Sequence, residues 1–207
     1  METENQPPKN LWIDKMSLEN ATRFMLENQS EAFSAVNKSL PEINKVINKI
    51  FISLKKNNKS RLVYAGAGTS ARIAVQDAVE LYPTFGWPKE RIAFMIAGGE
   101  KAILSSVEGA EDNIMDVSRV GKEIEVSKND ILIALAASGN TPFTSECIRF
   151  CKEKKAITIA VSNNKNGNIL KLADYSILLD TGYEMIAGST RLKAATAQKI
   201  CLNIISS

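Results

Sequence analysis

Two stretches set glycines and hydroxyl side chains directly behind apolar runs. In "RLVYAGAGTSARIAV" (61–75), Gly66-Ala67-Gly68-Thr69-Ser70 follows a run fit for a buried strand and precedes a helical pattern. In "ALAASGNTPF" (134–143), Ser138, Gly139, Asn140 and Thr141 leave a second such run, and Pro142 takes a first helical position, where its missing N–H costs nothing. Hydroxyls and free backbone N–H groups at a helix start suit a phosphate dianion. A third group, Ser189, Thr190 and Lys193 in "GSTRLK", could serve the same ligand. It could equally cap a helix, with Arg191 and Lys193 on a solvated face.

The kind of phosphate is narrowed by what is missing. Gly66, Gly68 and Ala71 fit a G-x-G-x-x-A dinucleotide pattern, but the next strand ends "MIAGGE", with Gly98 and Gly99 where an acid should hold a ribose. No G-x-x-x-x-G-K-[ST] loop for a nucleoside triphosphate is present. Two Ser/Thr-rich loops at strand ends favour a single phosphate on a small molecule.

These loops need a rigid frame. The runs "RLVYAG", "RIAFMIA", "DILIALAA", "AITIAVS" and "YSILLD" are almost continuously apolar, which marks strands buried on both faces of a parallel sheet. Helices are predicted near 70–81, 101–107, 112–123, 142–154 and 190–206, giving an α/β three-layer sandwich around a five-stranded parallel sheet. Before it, two or three amphipathic helices are predicted within 13–56, with Leu40, Ile43, Val46, Ile47, Ile50 and Phe51 at helical spacing and Pro41 near a helix start. Residues 1–12 read as a flexible tail, and 57–207 as the phosphate-binding domain.

Composition sets outer limits. The 207 residues carry a net charge of +3, with 44% hydrophobic and 24% charged residues, ordinary for a soluble domain. No basic stripe interleaved with aromatics points to nucleic acid, and no apolar run approaches the roughly 18 residues of a membrane span. The polar start "METENQPPKN" lacks the apolar centre of a signal peptide, so a cytoplasmic location is expected. Cys147 and Cys151 sit at a helical spacing that could hold a metal, but the chain has no histidine, so free thiols and no metal are expected.

Four blocks, "YAGAGTSARIAVQDAVELYPTFG", "IAGGEKAILSSVEGAEDN", "AASGNTPF" and "AGSTRLKAATAQKICLNIIS", resemble the N-acetylmuramic acid 6-phosphate etherases in the family's order, and "LPEIN" resembles their helical lead-in. These belong to the sugar isomerase (SIS) domain superfamily, with the glucokinase regulatory protein. The resemblance runs from about Ile13 to Ser207, and the family pattern continues past "NIISS" into a further helical region. It departs from the usual pattern at Ala71, Asn140 (often arginine), Leu81, Tyr82 and Ala195.

The resemblance implies cleavage of the lactyl ether of N-acetylmuramic acid 6-phosphate to N-acetylglucosamine 6-phosphate and D-lactate, without a cofactor. The ring opens, a base removes the proton at carbon 2, lactate leaves carbon 3, and water adds. Such a reaction needs a base for a weakly acidic carbon and an acid for a poor leaving group, and two carboxyl groups with separated pKa values can serve. By the resemblance, Glu80 in "DAVELYPTFG" protonates the leaving lactate and Glu108 in "SSVEGAED" acts at carbon 2, while Gly68, Thr69, Ser70, Ser138, Gly139, Asn140, Thr141, Ser189, Thr190 and Lys193 hold the substrate. It also implies a homodimer, because SIS domains build their sites between two copies. A sugar-phosphate sensor without catalysis and a sugar-phosphate isomerase are the alternatives within the superfamily.

Overall fold

The computed structural model describes residues 2–207. Strands β1 (Arg61–Gly66), β2 (Ile92–Ile96), β3 (Asp130–Leu135), β4 (Ile157–Ser162) and β5 (Tyr175–Leu178) form one parallel sheet in the order β2-β1-β3-β4-β5. Each falls on one of the apolar runs. Alternate residues point to opposite faces, so Leu62 and Tyr64 join one core while Val63 and Ala65 join the other.

The first core is covered by α1 (Leu18–Lys38), α2 (Leu40–Lys56), α3 (Gly68–Phe85) and α8 (Lys193–Ser206). The second lies under α5 (Met115–Glu123), α6 (Pro142–Glu153) and α7 (Asn168–Leu172). α1 begins at Ser17, whose hydroxyl accepts from the Asn20 N–H, and Pro41 stands in the first turn of α2. α1 packs on α8, tied by Thr196 Oγ1 donating to Gln29 Oε1 at 2.9 Å. No helix among the described residues is long and apolar enough to cross a membrane.

Several boundaries differ from the sequence expectation. α3 begins at Gly68 and runs to Phe85, where Gly86 in the left-handed region (φ 66°) ends it. The helix expected over 101–107 stops after α4 (Lys101–Leu104), because Ser105 turns extended. The next stretch makes a short 3-10 turn over Ala110–Asp112 before α5 starts at Met115. α7, unforeseen, is too short to show a helical period. Within residues 1–12, 3-10 turns form at Glu2–Glu4 and Lys9–Leu11.

At the amino-terminal edge of the sheet, Arg61 grips the buried Asp130 through two bonds of 2.7 and 2.9 Å, fixing β1 to β3 away from the loops. Cys147 and Cys151 are buried thiols under the sheet, and burial pushes Cys151 up to about 12. Among the described residues no three potential ligands gather as a metal cluster.

Asp77 on α3 lies buried against α8, accepting from Asn203 Nδ2 at 3.0 Å and Ser206 Oγ at 3.3 Å, with Lys199 at 3.7 Å. Burial pushes its carboxyl above the usual range, against the downward pull of Ser206, Lys199 and Asn203. A carboxyl raised in the folded state stabilises the fold below its unfolded value and loses that contribution as pH rises through the folded one. Wild-type protein is therefore expected to lose stability relative to Asp77→Asn between about pH 4 and pH 7. Urea midpoints for both proteins at the two pH values check this, and an unchanged gap would refute it.

Candidate active site

β1 lies between β2 and β3, and the chain leaves β1 for one neighbour and β3 for β4 on the other side. Parallel folds bind ligands at such a point of divergence. Gly66 pairs with Leu135, which brings the two phosphate-loop candidates out side by side. α3 and α6 start from these loops, and neither start is capped by a side chain: Ala67 has no oxygen to offer, and Thr141 makes no capping bond. Their leading N–H groups point to the same end of the sheet and suit an anion.

A cavity of about 230 Å³ opens there, lined by Gly68, Thr69, Ser70, Ser138, Thr141 and Thr190, together with Glu4 and Glu111. Six of the ten binding residues expected from the sequence thus line one cavity. Gly139 and Asn140 act behind it. Asn140 Oδ1 accepts from the Asn168 N–H at 3.0 Å, and the Gly139 carbonyl accepts from the Ile169 N–H at 3.0 Å, bracing the loop on α7.

The third group behaves differently from its capping assignment. Ser189 and Thr190 do not cap α8. The carboxylate of wholly buried Glu184 does so, accepting from the N–H groups of Ala194 (2.9 Å) and Lys193 (3.3 Å). Burial pushes this carboxyl up, while the two N–H groups draw it down. Lys193 is also not on a solvated face. It is 0% exposed, its ammonium bonded to Glu31 of α1 and set 5.0 Å from the Tyr183 ring centre. Arg191 is exposed. The N-terminus of α8 is therefore capped by a side chain from the preceding loop, unlike those of α3 and α6.

The carboxylates divide between two places. A second cavity, of about 240 Å³, shares Ala67, Gly68 and Glu111 with the first and adds Arg72, Ser106 and Glu108. Arg72 donates to the carbonyls of Ala102, Ile103 and Ser105, all at 3.1 Å, and so holds the segment leading to Glu108. Glu111 borders both cavities; the sequence hinted at it only through its place in "EGAED". Glu80 lines neither cavity. It is exposed on α3, roughly 18 Å along the helix from Gly68 at a rise of about 1.5 Å per residue. Nearby, Ala78, Val79, Tyr82, Pro83, Lys89, Ile92 and Phe94 line an open groove of about 450 Å³.

A family model described as glucokinase regulatory protein N-terminal SIS domain matches residues 42–152, and one described as SIS domain matches 121–204. An N-acetylmuramic acid 6-phosphate etherase of Deinococcus radiodurans is 42% identical over 205 residues, covering 99% of this chain and 67% of the relative. The chain belongs to the N-acetylmuramic acid 6-phosphate etherase family.

Another etherase, from a Geobacillus species, is 40% identical over 208 residues, covering 99% of this chain and 68% of its own length. Among solved structures, a phosphoheptose isomerase from Neisseria gonorrhoeae superposes with a TM-score of 0.69 at 16% identity, covering 92% of this chain and 97% of its own. At that identity it speaks for the fold alone. Within the etherase family's SIS fold, the cavity stands at the ends of β1 and β3, and the loop carrying Glu108 and Glu111 forms its side wall.

Proposed function

We propose that the protein cleaves the lactyl ether of N-acetylmuramic acid 6-phosphate by elimination followed by water addition, acting as a carbon–oxygen lyase on a sugar phosphate. The observation that carries this reading is the cavity that joins two uncapped helix starts to a carboxylate wall. The phosphate lies against the N–H groups and hydroxyls of Gly68, Thr69, Ser70, Ser138 and Thr141, with Thr190 at the rim. This fixes the sugar so that carbon 2 faces the side wall. There a carboxylate takes the carbon 2 proton. The family resemblance assigns that step to Glu108. The geometry favours Glu111, since among the described carboxylates it alone borders both cavities.

Departure of lactate from carbon 3 leaves an alkoxide unless a proton arrives, and Glu80 is the acid assigned to that step. Its distance along α3 from its own chain's cavity supports a role at a second copy's cavity, with a homodimer as the working unit. Two features support such a pairing. Val79 and Tyr82 beside Glu80 are exposed, at 52% and 51%. α1 also leaves Leu26 and Phe33 uncovered, and their seven-residue spacing sets them on one face of the helix, as in a helix–helix seam.

The direct test is D-lactate release from N-acetylmuramic acid 6-phosphate by the purified protein, with light scattering on the same sample. Lactate and a dimer mass are expected. Thermal stabilisation by the ligand without lactate would replace the lyase by a sensor, and a monomer at micromolar concentration would sink the shared site.

A further inference from the structure

The amino-terminal segment reaches the candidate site. Thr3 is 0% exposed, and its carbonyl accepts from the Gly188 N–H at 3.1 Å. That bond pins the chain where the next residue, Glu4, becomes part of the wall of the phosphate-loop cavity, together with Gly188 itself. The Thr3 hydroxyl is buried and meets no hydrogen-bond partner among the described residues. A polar group left unmet between two cavity-lining residues is costly unless something supplies a partner.

The cavity's chemistry says what Glu4 can touch. Its donors are the hydroxyls of Thr69, Ser70, Ser138, Thr141 and Thr190 and the N–H groups at the starts of α3 and α6. No lysine or arginine lines it among the described residues. Glu4 and Glu111 are carboxylates, which only accept hydrogen bonds when ionised. A phosphate ester dianion also only accepts, and inorganic phosphate is likewise an anion, so each is repelled by both carboxylates and drawn to the donors. A sugar's hydroxyls and the N–H of an acetamido group donate. A ligand with a phosphate at one end and donors along its body is matched by this mixture of donors and carboxylates, whereas bare phosphate is not.

We propose that Glu4 is a specificity-determining residue, accepting a hydrogen bond from a hydroxyl or amide N–H of the sugar while discouraging bare phosphate. The inference rests on the sugar-phosphate reading above and adds that the amino-terminal segment belongs to the site. Glu4 is exposed, so replacing it leaves the core untouched.

The experiment is calorimetric titration of wild type, Glu4→Ala and Glu4→Gln with N-acetylglucosamine 6-phosphate and with inorganic phosphate. Losing a charged acceptor is expected to weaken sugar-phosphate binding about tenfold in Glu4→Ala. Glu4→Gln, which keeps an acceptor without the charge, should retain part of that affinity. In both variants the affinity ratio should shift toward inorganic phosphate. An unchanged ratio, with the wild type binding the sugar phosphate, overturns the inference alone. Equal tightening of both ligands also overturns it, because the segment would then merely obstruct the cavity. If the wild type binds no sugar phosphate, the underlying function fails and this inference falls with it.

Discussion

Glu80→Gln is expected to lower D-lactate release by about 10²- to 10⁴-fold, the usual worth of a positioned general acid. Glutamine fills the same space but cannot give a proton to the departing alkoxide. Because Glu80 is exposed on α3, the folded protein should keep its melting temperature and its affinity for phosphate. Glu111→Gln is expected to be as damaging through loss of the base, and Glu108→Gln less so. The placement of Glu80 allows a sharper measurement. If the two carboxylates meet only across two copies, mixing inactive Glu80→Gln chains with inactive Glu111→Gln chains restores function. A mixed pair has one site carrying both substitutions and one intact, so random re-pairing should return about a quarter of wild-type activity. No recovery after verified subunit exchange would mean that each chain supplies its own acid.

The second large effect concerns the loop behind the cavity. Gly139 adopts φ +72°, and a Cβ there would stand 2.4 Å from the Gly167 Cα and 2.6 Å from Ser162 Oγ. A methyl group can be accommodated only by pushing the β3–α6 loop off the β4–α7 loop. The positive φ adds strain of its own. Gly139→Ala is expected to cost about 3 kcal/mol or more, and Gly139→Val more again, since β-branching worsens both terms. Urea unfolding measures the loss. Phosphate affinity should fall as well, because the displaced loop carries Ser138 and Thr141. A Gly139→Ala protein of wild-type stability would show that the loops separate freely.

Much of this arrangement is legible from residue order because it is local. The five strands declare themselves as apolar runs, most plainly β1, β3 and β4, which are buried along almost their whole length, and the loops after β1 and β3 are glycine- and hydroxyl-rich at the point where strand becomes helix. The features that escape are tertiary. Glu184 caps α8 from a preceding loop, nine and ten positions before the N–H groups it meets, so no capping pattern reveals it. Lys193 looks like an ordinary solvated lysine until Glu31, far earlier in the chain, supplies its partner. The contact of Gly139 with Gly167 joins two loops whose sequences are separately unremarkable turns. Thr3 and Glu4 sit in a polar stretch whose sequence gives no sign of its anchor on Gly188.

The seating of α1 against α8 also dictates an order of events at the ribosome. Glu31 and Lys193 are separated by 162 residues, and Thr3 and Gly188 lie at similarly distant points of the chain. At roughly 5–20 residues per second, translation takes on the order of 10–30 s to deliver Lys193 after Glu31 has been made. α1 is thus made long before the helix it packs against. Throughout that interval the face of α1 that α8 will cover has only solvent, a chaperone or a neighbouring nascent chain to lean on.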